Sequence, residues 1–189
     1  MPAAAFMTVV RRSRACAAQR AVVACLCALR GLVATVAEIP VPVVTDSRLQ
    51  CELFAAEPEI VTPIGLAIDA RGRLFVLESH THFPKEGYPG PKSDRVKVFT
   101  PEPGQRGTTK PTVFASEGLR HAMNLAFSPD GRLYLTHRNG VEVLVDRDKD
   151  DRCEAPTTIV KLVTPGDYPH NGLGGIAFSG DGWLYVGLG

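Results

Sequence analysis

Short apolar runs alternate with polar turns along most of the chain, and one such pattern occurs three times. An apolar segment, a polar turn ending in glycine and a second apolar segment follow one another in each copy. Glycine accepts a positive φ without a Cβ clash, so each turn favours a tight reversal between two antiparallel strands. The pattern predicts β-hairpins over residues 63–78, 122–136 and 173–187.

Two further apolar segments follow each of the first two hairpins. They are Arg95–Phe99 with Thr112–Ala115, and Val141–Val145 with Thr158–Val163. The turn glycines are 59 and 51 residues apart, and no segment has helical periodicity. Four strands in each repeat are typical of propeller blades. A β-sandwich is the alternative, but it does not require such similar hairpins at near-constant spacing.

The sequence therefore predicts an all-β fold, an incomplete β-propeller of about two and a half four-stranded blades. Propellers close with about four to eight blades, so we expect residues 38–189 to be the N-terminal part of a propeller, truncated in its third blade. A small domain of two packed blades is the alternative.

Residues 1–37 differ in composition from the rest of the chain. They contain five arginines and no acidic residue, and apolar residues predominate after Arg20. Thr35 and Ala37 suit the −3 and −1 positions of a cleavage site. We expect a signal peptide or an N-terminal anchor, and hence a protein that is exported to the periplasm or held facing it by membrane association. Export permits a disulfide between Cys51 and Cys153, and two free thiols are the alternative.

The remaining chain has more acidic than basic residues, which argues against a nucleic-acid partner. Its histidines share one location. Strand parity places all five at one end of the blades, here called the top face, where the second strand of each blade connects to the third. They are His80, His82, His121, His137 and His170.

Histidine suits proton transfer near neutral pH. His121 and His170 precede innermost strands, which line a propeller's channel, whereas His80 and His82 lie in the long loop Ser79–Asp94. Those two are either solvated or functional, and we expect the loop to form a rim of the pocket.

An acidic loop lies at the opposite end, the bottom face. Its carboxylates match positions 1, 3, 5 and 9 of a calcium-binding loop: Asp146, Asp148, Asp150 and Glu154. Asp151 stands where such loops need glycine, and Thr157 replaces the final glutamate. A structural calcium site and a solvated charged turn both remain open.

Three segments carry a family resemblance. Residues 54–63, 118–127 and 168–178 resemble the membrane-bound dehydrogenase domain family, which is related to the quinoprotein glucose and sorbosone dehydrogenases. The resemblance extends from about Leu49 to the end of the chain. It implies a six-bladed propeller that holds pyrroloquinoline quinone (PQQ) and calcium over its channel.

The resemblance also implies residue roles. His170 aligns either with the catalytic base, which takes the proton of a sugar hydroxyl, or with a residue that only lines the pocket. We expect His121, Asn171 and Arg138 to contact the cofactor. The family's arginine and lysine ligands for the quinone would lie beyond Gly189, so we expect this fragment to be inactive alone.

The leading hypothesis is an exported quinoprotein-type dehydrogenase that oxidises a sugar or alcohol and passes electrons to a cytochrome c. Fold does not decide function, and two alternatives remain. One is a non-catalytic propeller that binds glycans or proteins, and the other is a calcium-dependent lactonase.

Overall fold

A computed structural model of the chain describes residues 6–12, 42–100, 110–163 and 172–189, and this part contains strands and no helix. The strands are β1 (Phe6–Arg12), β2 (Leu49–Ala56), β3 (Pro63–Ile68), β4 (Leu74–Glu78), β5 (Arg95–Phe99), β6 (Thr112–Ala115), β7 (Ala122–Phe127), β8 (Leu133–His137), β9 (Gly140–Leu144), β10 (Thr157–Lys161), β11 (Leu173–Phe178) and β12 (Leu184–Leu188).

Consecutive strands pair antiparallel into separate sheets. Blade 1 has the order β3-β4-β5-β6, blade 2 has the order β7-β8-β9-β10, and β11 pairs with β12 as the first hairpin of a third blade. The first strands of successive sheets, β3, β7 and β11, contact one another in turn. These are the features of blades arranged around an axis, so the prediction of an incomplete, open β-propeller is confirmed.

The glycine turns reverse the chain as predicted. Gly72, Gly131 and Gly182 have φ angles of 78°, 83° and 92°. In the first turn, Gly72 N donates to Asp69 O, and Asp69 N donates to Arg73 O; the other two turns repeat both bonds. A side chain at any of these glycines would be strained by the positive φ.

The main core lies between blades 1 and 2. Phe75 of β4 is 1% exposed and meets Phe114 and Phe127 edge-to-face, with ring centroids 5.1 Å apart in both pairs. The next residue, Val76, points to the opposite face of the strand, where it packs beneath β2 against Phe99. Blade 1 is therefore covered on both faces, which explains why β4 is apolar without alternation.

The two ends of the arc are less covered. Apolar side chains of β3 at one end and of β12 at the other are more than 40% exposed: Ile64, Leu66, Ile68, Tyr185 and Leu188. Strand β10, the outermost strand of blade 2, is exposed along its whole length. Burial thus decreases from the interface between the blades toward the edges of the described structure.

Part of the predicted leader forms a strand. Residues 6–12 pair antiparallel with β2, from Phe6 opposite Ala56 to Arg12 opposite Leu49. The apolar run of the leader lies outside the described residues, so a signal peptide or anchor stays a prediction. Within the described ranges, no helix is long and apolar enough to cross a membrane.

The structure decides between a disulfide and two free thiols. Cys51 and Cys153 are both free thiols in this structure. Burial raises the pKa of the Cys153 thiol to about 11, which keeps it protonated near neutral pH.

Removal of the Phe75 ring should destabilise the interface between the blades. We expect Phe75→Ala to lower the free energy of unfolding by about 3–5 kcal/mol, the usual cost of deleting a buried phenylalanine. Phe83, which is 65% exposed, provides the matched control, and Phe83→Ala should change the value by less than about 0.5 kcal/mol. Urea unfolding of both variants measures the difference, and equal losses would contradict a core centred on Phe75.

Candidate functional site

The top face is built where the long loop of blade 1 meets the start of blade 2. The loop, residues 79–94, leaves β4 and returns to β5, while residues 116–121 lead from β6 into β7. Their backbones are joined directly, because Asp94 N donates to Leu119 O at 2.9 Å. Ser93 Oγ donates to the same carbonyl at 2.8 Å.

The carboxylate of Asp94 is the centre of this junction. It is fully buried. Oδ1 accepts from His80 N at 2.6 Å and from Thr81 N at 2.8 Å. Oδ2 accepts from Thr81 Oγ1 and from Ala122 N, each at 2.9 Å. A buried charge is stable only with such partners, so this carboxylate fixes both ends of the loop and the first residue of β7 in one arrangement.

His121 is held by this junction in an uncommon conformation. Its φ is 51°, in the left-handed region that few non-glycine residues adopt. Its backbone N donates to Thr81 Oγ1 at 2.7 Å, and its carbonyl accepts from Arg138 N at 3.1 Å. These contacts place His121 between the blade 1 loop and the β8–β9 turn. Strained residues that the surrounding structure holds in place occur often at functional sites.

The imidazole of His121 lies among cationic groups. Burial lowers its pKa, and the charges of Arg138, Arg120 and His82 lower it further, whereas Asp94 acts in the opposite direction. The net pKa lies below the usual value, so the ring is neutral near pH 7 and can accept a proton or a hydrogen bond.

A cavity of about 510 Å³ opens beside this cluster. Residues from the entry to β7, the β8–β9 turn and β9 line it, among them Arg120, His121, His137, Arg138, Asn139 and Glu142. Its volume lies within the range of about 300–1,000 Å³ that is usual for small-molecule sites. His137 is engaged within the wall, because its Nε2 lies 3.2 Å from Glu142 Oε1.

Two of the four residues predicted for the catalytic and cofactor site can be placed. His121 and Arg138 line the same cavity, and their contact with a cofactor stays a prediction. His170 and Asn171 lie outside the described residues. Gly172, which follows them, packs on the β8–β9 turn so closely that a Cβ there would be 2.4 Å from Arg138 O. The third hairpin therefore begins at the same turn, and Leu173 N donates to Arg138 O at 3.0 Å.

His80 is buried, so of the two interpretations of this histidine the solvated one is wrong. Its side chain is 1% exposed and lies between Glu78 Oε2, at 3.3 Å from Nε2, and the Tyr88 hydroxyl, at 2.7 Å from Nδ1. Glu78 is also fully buried and pairs with Lys97 Nζ at 2.8 Å. Sequence reasoning gave no role to Asp94, just before β5, or to Lys97, within β5, since charged residues are ordinarily exposed.

The acidic loop brings together three of the four carboxylates that were predicted to bind calcium. Carboxylate oxygens of Asp146, Asp148 and Asp150 lie within 4.8 Å of one another. Glu154 is not part of this group: both of its oxygens accept from Arg147 N, at 2.9 and 3.2 Å. Calcium at this loop stays a prediction, with three carboxylates placed to contribute.

Asp151 occupies the position of the missing glycine and has a φ of 65°. Its carboxylate forms an ion pair with Arg73 of blade 1, and Arg73 Nε also lies 2.7 Å from Asp69 Oδ2. The loop is therefore attached to the neighbouring blade at the bottom face.

The position of Arg138 can be tested by titration of His121. We expect the His121 ring in the folded protein to titrate below about 6.5, the ordinary histidine value, and Arg138→Gln to raise its midpoint. The unfolded chain then binds more protons than the folded chain just below that pH. His121 therefore stabilises the fold above about pH 6.5, and this contribution is lost as the pH falls toward the folded midpoint.

Proton NMR of the imidazole measures the midpoint. Arg132→Gln, on a bottom-face turn, is the control and should leave it unchanged. A midpoint at or above the ordinary value, or equal responses to the two substitutions, would contradict the arrangement.

Comparisons with known proteins place the chain in a family. Solved structures resemble the fold, among them a crystal structure described provisionally as a gluconolactonase; it has 18% sequence identity and a TM-score of 0.49, over 74% of this chain and 47% of that one. The chain thus spans about half of that structure. No curated protein matches the sequence. Residues 41–189 match the model described as Domain of unknown function (DUF7133), and the chain belongs to that family.

Proposed function

We propose that this chain is the N-terminal part of an exported β-propeller dehydrogenase that oxidises a sugar or alcohol hydroxyl. PQQ would bind at the top face, and a cytochrome c would accept its electrons. The observation that carries the proposal is the pair of cationic side chains, Arg120 and Arg138, which lie with the neutral imidazole of His121 beside a cavity of ligand size. The proposal also rests on the sequence resemblance to quinoprotein dehydrogenases.

The described residues suit this cofactor chemically. PQQ is a tricarboxylate, and guanidinium groups bind carboxylates with paired hydrogen bonds. Arg138 and Arg120 would hold carboxylates of the cofactor, and the neutral imidazole of His121 would accept or donate one hydrogen bond. When bound, the cofactor supplies the hydride acceptor, a capacity that protein side chains lack.

The general base that takes the proton of the substrate hydroxyl would be a side chain of this protein. Oxidation of a hydroxyl requires that its proton be taken as hydride leaves the carbon, and histidine suits that step near neutral pH. We assign it to His170. Gly172, two residues after His170, packs against Arg138, one side of the cavity.

A calcium-dependent lactonase needs carboxylate and amide oxygens directed into the top-face pocket. Glu78, which ends β4 at the top face, is fully buried and bound to Lys97 Nζ and to Val61 N. It is therefore unavailable as a metal ligand.

Cofactor binding can be measured without turnover. We expect Arg138→Gln to weaken PQQ binding by about tenfold or more, the value of one charged hydrogen bond, while Arg132→Gln leaves the affinity unchanged. Fluorescence titration of the full-length protein with PQQ compares the two variants. In the same protein, His170→Ala should lower kcat for the oxidised sugar or alcohol about 10²–10⁴-fold with little change in quinone affinity.

The outcomes separate the candidate functions. Absence of both quinone binding and turnover on a panel of sugars and alcohols would reject the dehydrogenase and favour a non-catalytic propeller. A raised KM with kcat nearly retained in His170→Ala would reject the base and leave His170 as a pocket-lining residue.

A further inference from the structure

A carboxylate, an imidazole and a phenol lie in line within blade 1 and its top loop. Glu78 Oε2 is 3.3 Å from His80 Nε2, and His80 Nδ1 is 2.7 Å from the hydroxyl of Tyr88. Glu78 and His80 are buried, whereas Tyr88 is partly exposed. The row therefore runs from the interior of the blade to its surface, and Tyr88 is its outer member.

The hydrogen-bond acceptors in this row determine which nitrogen of His80 carries the ring proton. An ionised carboxylate only accepts hydrogen bonds, so when Glu78 is ionised and the His80 ring holds one proton, the contact with Glu78 Oε2 requires that proton on Nε2. Nδ1 is then the acceptor and receives the hydrogen of the Tyr88 hydroxyl. In this arrangement His80 Nδ1 can accept the proton of the Tyr88 hydroxyl, the outer member of the row.

Both ends of the row are held firmly. Glu78 Oε1 accepts from Val61 N at 2.7 Å and lies 2.8 Å from Lys97 Nζ, so the carboxylate cannot turn away from His80. The Tyr88 ring lies against Gly90, where an added Cβ would be only 2.2 Å from Cζ. The absence of a side chain at Gly90 is thus what leaves room for the phenol beside His80.

The phenol lines its own small cavity. About 240 Å³ of space is bordered by His80, Tyr88 and the cationic residues Lys85, Lys92 and Arg120. This volume is below the usual range of about 300–1,000 Å³ for ligand pockets, so only a small molecule fits. Three cationic side chains on its wall favour an anionic one.

We propose that Glu78, His80 and Tyr88 form an acid–base site for a small anionic hydroxy compound bound beside Lys85, Lys92 and Arg120. The Tyr88 oxygen takes the proton of the ligand's hydroxyl while the phenolic proton passes to His80 Nδ1. The resulting imidazolium is stabilised by the Glu78 carboxylate, and the ligand is left as an alkoxide. Arg120 lines both this cavity and the one proposed for the quinone, but Glu78, His80 and Tyr88 take no part in the quinone site.

Labelling with an anionic electrophile tests the proposal directly. In the reaction with 4-(fluorosulfonyl)benzoate, a bond forms between Tyr88 Oη and sulfur, the S–F bond breaks, fluoride leaves and the phenolic proton goes to His80. We expect Tyr88 to be labelled about 100-fold faster than Tyr185, which is 60% exposed and whose hydroxyl is bonded to no histidine among the described residues. Peptide mass spectrometry of the whole chain measures both rates.

Two variants and a neutral reagent complete the experiment. His80→Gln should reduce the Tyr88 rate to about that of Tyr185, in protein whose circular dichroism is unchanged. Lys92→Gln should slow the anionic reagent but not neutral benzenesulfonyl fluoride.

Equal rates at the two tyrosines in the unmodified chain would overturn the acid–base site, and this comparison needs no variant to fold. Retention of the fast rate in His80→Gln would overturn the role of the imidazole. Equal effects of Lys92→Gln on both reagents would overturn the anionic ligand.

Discussion

The buried carboxylate of Asp94 joins the top loop of blade 1 to the first strand of blade 2. Burial of an ionised carboxylate is costly unless hydrogen bonds replace its water. Here four donors, from His80, Thr81 and Ala122, supply them. Removal of any one member would leave buried polar groups unsatisfied, which typically costs about 1–3 kcal/mol per group. The arrangement is therefore strongly specified once it forms.

Much of the top face depends on that junction. Because Asp94 fixes Thr81, the Thr81 hydroxyl is placed to accept from His121 N, and His121 is kept at its positive φ. Because Asp94 also fixes His80 N, the His80 ring is directed toward Glu78 and Tyr88. Both candidate sites therefore share one support.

A second attachment holds the bottom face. Arg73 binds Asp69 of its own turn and Asp151 of the acidic loop in blade 2. The aromatic core around Phe75 lies between the two attachments. The relative position of the blades is thus set at both ends and in the middle, which is what a site shared between blades requires.

The hairpins could be predicted because their determinants are local. The turn glycines and the apolar runs beside them determine strand and turn within a dozen residues, and the structure has both where the sequence placed them. The buried polar groups could not be predicted in this way. Asp94 contacts Ala122, and Arg73 contacts Asp151, across distances along the chain that no short motif encodes. The pairing of β1 with β2 was missed for the same reason.

The residues of the candidate site also differ in how far the sequence alone could predict them. His121 and Arg138 were predicted to belong to one site, and both line the cavity at the top face. His80 was left open between a solvated and a functional role because its burial depends on Glu78 and on the fold of the long loop. A glutamate that ends an apolar strand, followed two residues later by a histidine, is the sequence signal that could have indicated the pair.

Hydrogen exchange in Asp94→Asn tests the central claim most directly. The amide group of asparagine would present donors to donors, so we predict that the backbone amides of Thr81, His121 and Ala122 exchange at least about tenfold faster, a change of about 1.4 kcal/mol. The amide of Gly131, bonded to Ser128 O in a bottom-face turn, should keep its rate. Unchanged exchange at all three top-face amides, in a variant that retains the fold, would contradict the role assigned to Asp94.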